Sequence, residues 1–179
     1  MGRLRRIKND VELVTSSTYY FSTIDKSDKD KYMEIGMGKG NFIIQNAIKY
    51  PQNFYYGIDK YPTVIYKAIK KLEKIEPINN LKFLITDVVD IFDYFKPHTI
   101  KTIYLNFSDP WPKRAHEKRR LTSPKFLEIY QKLLVKDGVV EFKTDNLGLY
   151  EYSLGTLKQT PNVKVLGYWN DFYAKHKVI

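Results

Sequence analysis

From residue 31 onward the chain alternates short, mostly apolar runs with longer amphipathic stretches, and this alternation leaves few architectures open. The runs at residues 31–35, 54–59, 81–86, 100–107, 139–143 and 163–167 have the composition of strands buried on both faces. Between them Phe42, Ile43, Ala47 and Ile48 recur at helical spacing, and Pro62 opens a stretch carrying Val64, Ile65, Ala68, Ile69 and Leu72. Ser123-Pro124 starts a further helix with Phe126, Leu127, Tyr130, Leu133 and Leu134 on one face, Gly138 is placed after its end, and residues 146–158 supply one more. Strands alternating with helices build βαβ units. The expected fold is therefore a single-domain α/β fold with a mostly parallel central sheet and helices on both faces.

A length of 179 residues suits one domain, able to bury roughly two thirds of the surface its unfolded chain exposes. Residues 1–29 are expected to form a basic, flexible N-terminal arm, with Arg3, Arg5, Arg6 and Lys8 concentrated where apolar periodicity is weak, and residues 30–179 to form the domain. A net charge of +10 favours an anionic partner such as nucleic acid, although lysine-rich composition alone also produces it. With no cysteine the chain has neither disulfides nor thiolate metal sites, and His98, His116 and His176 lack ligand spacing, so no metal is expected. No apolar run is long enough to span a bilayer; the expectation is a cytoplasmic protein without a membrane partner.

Two segments carry chemistry. The first is Glu34-Ile35-Gly36-Met37-Gly38-Lys39-Gly40, which joins the first strand to the first helix. Glycines there permit positive φ and close backbone approach, so a nucleotide-like ligand can lie over the turn and the helix N-terminus. The dinucleotide fingerprint requires G-x-G-x-x-G, but Asn41 stands in place of its third glycine; G-x-G-x-G after an acid favours S-adenosylmethionine. Asp59 ends the second strand and can accept the ribose hydroxyls of an adenosine, and Asp87 follows the third, within reach of an adenine amino group. The competing reading is a tight turn without ligand, with each aspartate serving as a helix N-cap.

The second segment spans residues 102–121. The apolar run Ile103-Tyr104-Leu105-Asn106-Phe107 breaks at Ser108-Asp109-Pro110-Trp111-Pro112, and Lys113-Arg114-Ala115-His116-Glu117-Lys118-Arg119-Arg120 follows at once. Two prolines fix φ and lack backbone donors, which ends the strand and stiffens the turn presenting Asp109 and Trp111. A carboxylate, a flat apolar surface and a phosphate anchor are what an enzyme acting on a nucleic-acid base needs. A solvated charged loop is the plain alternative for the basic run. Trp111 stacks on a base or cofactor, or plugs the turn against the sheet. Thr144-Asp145-Asn146 is equally a substrate contact or a helix cap.

On Glu34 to Gly40, Ser108 to Leu121 and Thr144-Asp145-Asn146, the chain resembles the bacterial tRNA (guanine-N7)-methyltransferases. The resemblance runs from about Arg3 to Leu154, and residues 104–121 match the family pattern almost residue for residue. It implies a class I methyltransferase (Rossmann-like) fold, S-adenosylmethionine as cofactor, tRNA as partner, and methyl transfer to N7 of a guanosine in the tRNA variable loop. It further implies that Glu34, Asp59 and Asp87 bind the cofactor, that Asp109 serves both cofactor and catalysis, that Lys113 and Asp145 bind substrate, and that Ala115, His116, Glu117, Lys118, Arg119 and Arg120 touch RNA. Gly36, Gly38 and Gly40 are expected on the cofactor and Arg114 on RNA. One departure stands out: the Thr-Glu-Tyr-Glu-like segment that helps hold the target base is not found, Asn170-Asp171-Phe172-Tyr173 being at best a remnant, and the tail is short for the last two strands of that fold.

Guanine N7 carries an in-plane lone pair and no proton, so its attack on a sulfonium methyl needs placement more than a general base. Two rivals share parts of the pattern: a noncatalytic RNA-binding protein on a methyltransferase fold, and a nucleotide-cofactor oxidoreductase, which would share the glycine turn and Asp59.

Overall fold

A computed structural model describes residues 6–168 of the chain. Five strands, β1 (Lys31–Ile35), β2 (Phe54–Asp59), β3 (Leu81–Ile85), β4 (Ile100–Asn106) and β5 (Leu134–Lys143), form one sheet in the order β3-β2-β1-β4-β5, every neighbouring pair parallel. The chain thus runs outward from β1 through β2 to β3, then returns to lay β4 on the other side of β1. β1 is the switch point where connections diverge, which opens a crevice at the strands' carboxyl ends.

The helices are α1 (Asp10–Thr15), α2 (Asn41–Lys49), α3 (Pro62–Leu72), α4 (Pro124–Leu133) and α5 (Leu147–Gln159). On one face Ile43, Ile44 and Ala47 of α2 and Val64, Ile65, Ala68, Ile69 and Leu72 of α3 bury against Tyr55, Leu81 and Phe83. On the other, Phe126, Leu127, Tyr130 and Leu133 of α4 bury against Met33, Tyr56, Ile58, Ile103 and Leu105. The faces of α3 and α4 are those their apolar spacing predicts, except that Leu134 starts β5, whereas α2 turns Ile44 inward and leaves Ile48 50% exposed; the sheet is covered on both sides as expected for an all-parallel sheet.

Three expectations need correction. The N-terminal stretch is not an arm throughout. Val14 is fully buried against α3, Asp10 accepts a hydrogen bond from the Thr63 hydroxyl, and Phe21 donates its N–H to the Phe83 carbonyl at 2.8 Å while the Phe83 N–H goes to the Tyr19 carbonyl. Few apolar residues sufficed because they reach a core already formed by β3 and α3. Arg3 and Arg5 lie outside the described residues; Arg6 and Lys8 are exposed.

No sixth strand forms over residues 163–167. Val163 and Val165 are half-buried with exposed neighbours, so the alternation is real, but the segment joins no ladder, and a strand exists only where its backbone amides find a partner. Asn170, Asp171, Phe172 and Tyr173 lie outside the described residues.

Gly138 does not follow a helix end. α4 stops at Leu133, β5 begins directly at Leu134, and pairing then jumps: Thr102 follows Ile100 by two positions while Val139 follows Leu134 by five. The extra residues bulge out, with Asp137 at φ 61°, and a Cβ on Gly138 would stand 2.9 Å from both the Leu134 Cβ and the Val135 carbonyl oxygen. Crowding inside a bulge requires this glycine.

Candidate active site

The two segments singled out by sequence leave the sheet at the same edge. β1 carries the glycine turn, β4 carries the acid before Pro110, and the two strands are hydrogen-bonded neighbours running in one direction. Leu121, at the end of the second segment, reaches back to the first: its Cδ1 is 3.9 Å from where a Cβ on Gly36 would sit.

The turn is held by β2. The N–H groups of Gly36 and Met37 both donate to the Ile58 carbonyl, at 2.8 and 3.1 Å, and Gly36, Gly38 and Gly40 have φ of 73°, 55° and 71°. Left-handed backbone at three alternate positions is what only glycine adopts without strain. Gly40 is the N-cap of α2 and, as glycine, makes no side-chain cap hydrogen bond; a Cβ there would stand 3.0 Å from the Ala68 Cβ, so the turn packs closely on α3.

Glu34 ends the turn's strand side, 3% exposed, and accepts a hydrogen bond at Oε1 from Asn106 Nδ2 at 3.0 Å. Burial pushes its carboxyl up to about 7; Asn106, the nearby Ile43 amide and Lys143 pull against that, while Asp59 adds to it. Asp59 accepts the Gly38 N–H at 3.0 Å on one oxygen and the Tyr61 N–H at 2.9 Å on the other. Burial likewise raises its pKa, against hydrogen bonds from Tyr61 and Gly38. Each Asp59 oxygen retains a lone pair for a ribose hydroxyl. Asp87 is exposed and caps the 3₁₀ helix Val88–Asp93 by accepting the Val89 N–H at 3.3 Å. The capping reading therefore holds for Asp87 and does not prevent its outward oxygen from meeting a ligand.

Among the described residues four buried side-chain polar atoms lack a hydrogen-bond partner: Glu34 Oε2, Asn106 Oδ1, Ser108 Oγ and Tyr130 OH. Three of these lie at the carboxyl ends of β1 and β4. Buried polar atoms are ordinarily paired, so this edge is chemically incomplete and fits a polar, donor-bearing ligand such as S-adenosylmethionine.

The exit from β4 is strained. Phe107 at φ 51° and Trp111 at φ 42° both occupy the left-handed region, on either side of an exposed Asp109, and Phe107 is 58% exposed. Such strain collects at functional sites, where surrounding structure must over-determine it. Here Arg120 does so. Its Nε and Nη2 donate to the Pro110 and Trp111 carbonyls, both at 3.1 Å, and its guanidinium lies 4.3 Å from the Tyr152 ring centroid on α5. Arg120 is 8% exposed, which corrects its expected place among the RNA contacts: its donors are spent on its own chain.

The other members of the basic segment face solvent. Lys113 is the N-cap of the 3₁₀ helix Arg114–Arg119; Arg114, Ala115, Lys118 and Arg119 are exposed, and His116 and Glu117 half-buried. Trp111 lies between the Arg119 guanidinium, 4.9 Å from its ring centroid, and the His116 ring at 5.7 Å. Asp145 is exposed, and the cap of α5 is Asn146, which accepts the Leu149 N–H at 2.8 Å.

Arg120→Ala is expected to lower stability by ~1–3 kcal/mol, since two charge-assisted hydrogen bonds to part-buried carbonyls are lost. Arg120→Lys will not restore it, because a point charge cannot span both carbonyls. Denaturant titration against Arg119→Ala, which should be near neutral, checks this; equal effects at the two positions would refute the clamp.

Comparison with known proteins decides the lineage. A family model described as "Putative methyltransferase" matches residues 28–175. A tRNA (guanine-N(7)-)-methyltransferase of Mycoplasma genitalium is 42% identical over 166 residues, covering 90% of this chain and 79% of the relative. That of Mycoplasmopsis agalactiae is 43% identical, covering 96% and 83%. The chain belongs to the tRNA (guanine-N7)-methyltransferase family. Its relative in Oenococcus oeni is 50% identical, the match spanning 78% of this chain and 64% of that protein. Among solved structures, an antibiotic-related methyltransferase superposes with TM-score 0.54 at 20% identity, covering 86% of this chain and 76% of that one, which attests the fold. PKMT2 from Rickettsia typhi, solved in complex with AdoHcy, superposes with TM-score 0.51 at 25% identity, over 63% of this chain and 20% of that one. S-adenosylmethionine is the cofactor of this methyltransferase family, and the oxidoreductase alternative falls with that assignment. Among the described residues no helix is long and apolar enough to cross a membrane.

Asn106, Phe107 and Ser108 also stand at this edge, where sequence reading passed over them as strand and turn. The signal for Asn106 was parity: Glu34 pairs with Tyr104, so the residue two positions on shares its face. That signal exists only once the register is known.

Proposed function

We propose that this protein transfers the methyl group of S-adenosylmethionine to N7 of a guanosine in the variable loop of tRNA. The observation that supports this reading most directly is the adjacency of the β1 and β4 tips, which sets an incomplete polar crevice beside Asp109 and an exposed cationic segment. In this reading Glu34, Gly36, Gly38, Gly40, Asp59 and Asp87 line the cofactor, and Lys113, Arg114, Lys118 and Arg119 take phosphates. His116 steadies Trp111 within that surface, Ala115 and Glu117 complete the RNA-facing turn, and Asp145 contacts the substrate from the tip beyond β5.

The cofactor supplies an electrophilic sulfonium methyl. The protein aligns N7 with it, and alignment of this kind is worth roughly 7–11 kcal/mol in favourable cases. Because N7 bears no proton, Asp109 has no proton to remove; its carboxylate offsets the positive charge that develops on the purine, favouring the transition state over the neutral base.

Incubation with labelled S-adenosylmethionine and unmodified tRNA, followed by mapping of the labelled nucleotide, tests substrate, atom and position together. A single 7-methylguanosine in the variable loop is expected. Tight tRNA binding without label would establish instead a noncatalytic RNA-binding protein, and label on another atom would overturn the proposed chemistry.

A further inference from the structure

Arg120 holds the exit from β4, and something must in turn hold Arg120. The residue is buried, and its donors Nε and Nη2 are committed to the Pro110 and Trp111 carbonyls, both at 3.1 Å. The carboxylate paired with it, Glu117 Oε1, stands 4.0 Å from Nη1, too far for a hydrogen bond. What covers the cation is Tyr152, with the guanidinium Cζ lying over its ring at 4.3 Å from the centroid. A guanidinium can hydrogen-bond along its edge and lie on an aromatic ring at the same time, so the two contacts do not compete.

Tyr152 is placed for this contact and for little else. It sits on α5, belongs to neither apolar core, and is followed by Ser153, whose buried hydroxyl is 2.6 Å from that of buried Thr122. Two adjacent residues of α5 thus grip Arg120 and Thr122, where the chain leaves the basic segment. α5 fully buries only Leu149 and Ser153, so its seat depends on these contacts more than on a broad apolar face. On the other side of the clamp, Phe107 and Trp111 flank Asp109 in left-handed backbone, which persists only while its surroundings enforce it. Without the ring, the cation would have no close counter-charge, and turning toward Glu117 and water would release both carbonyls.

We infer that Tyr152 is a positioning residue for methyl transfer: from α5 its ring keeps the Arg120 guanidinium on the Pro110 and Trp111 carbonyls, and so sets where the Asp109 carboxylate meets the purine. This rests on the reading of Asp109 as the group beside the reacting base.

Single-turnover methylation of unmodified tRNA at saturating tRNA and labelled S-adenosylmethionine tests it in Tyr152→Phe and Tyr152→Leu, with rates expressed per cofactor site counted by calorimetry with S-adenosylhomocysteine. Tyr152→Phe keeps the ring and is expected within about twofold of wild type. Tyr152→Leu keeps apolar bulk without a π face and is expected to be about tenfold slower, with S-adenosylhomocysteine affinity changed by less than about twofold. Because the ring acts through Asp109, the same leucine substitution made in an Asp109→Asn background is expected to slow the reaction by less than about twofold further. A tyrosine that only supported the fold would lower the melting temperature and the number of sites but not the rate per site. Wild-type rates in Tyr152→Leu, or equal losses in both backgrounds, would therefore overturn the inference. Should leucine prevent folding, mono-, di- and trifluorinated phenylalanines placed at 152 decide it: fluorine draws charge from the ring face at nearly constant shape, so the rate should fall step by step, and a flat series refutes the role. Wild type that labels no tRNA would sink the proposed reaction itself, whereas a labelling wild type with unaffected variants fails Tyr152 alone.

Discussion

Replacing Asp109 by alanine is expected to reduce single-turnover methylation by ~10²–10³ while leaving the folded protein intact. Asp109 is exposed and, among the described residues, has no ion-pair partner, so the fold gains nothing from its charge. Its backbone is fixed independently, because Arg120 holds the carbonyls of the next two residues. The loss should therefore fall on the chemical step. Asp109→Asn, which keeps shape and removes charge, is the sharper variant: if the carboxylate offsets developing positive charge on the purine, asparagine is nearly as slow as alanine. Rapid-quench rates with labelled cofactor, alongside thermal denaturation, measure both. Near-normal rates in the asparagine variant would reduce Asp109 to a positioning role.

The second large effect is on pH. With its carboxyl pushed up to about 7 by burial, Glu34 is half protonated near neutrality in the free protein. A ligand that donates hydrogen bonds to this carboxyl favours its ionised form. Affinity for S-adenosylhomocysteine should therefore fall as pH drops below about 7, approaching tenfold per pH unit, and Glu34→Gln should bind weakly at every pH with the dependence gone. Stability of the free protein has the opposite sign. A pKa raised from 4.5 in the unfolded chain means Glu34's contribution is fully present below 4.5 and lost as pH rises through about 7, on the order of 3 kcal/mol in all. The same residue thus makes the free fold more robust in mild acid and the complex weaker. Calorimetric titration from pH 5 to 8 checks the first half and denaturant titration over the same range the second; flat affinity would show that Glu34 does not meet the ligand.

The features legible from residues alone were those carried by local pattern. Strands β1 and β2 match their expected limits because apolar runs and glycine or proline punctuation coincide there. The Asp87 and Asn146 caps follow from short polar side chains at helix starts. The misses have one origin. Residues 163–167 alternate like a strand but find no partner, Arg120 has the composition of an RNA contact but lies beneath the loop, and Phe21 looks like part of an arm until β3 is there to receive it.

Sequence by itself determined the βαβ alternation, the glycine turn, the abrupt strand exit at Pro110 and the family, because each is written in contiguous residues. Only the tertiary structure decided that β4 returns to the side of β1, that Glu34 and Asn106 share a hydrogen bond across 72 positions, and which arginine is buried. Those facts depend on strand order and register, which are set by the packing of whole faces against one another and not by any local run of residues.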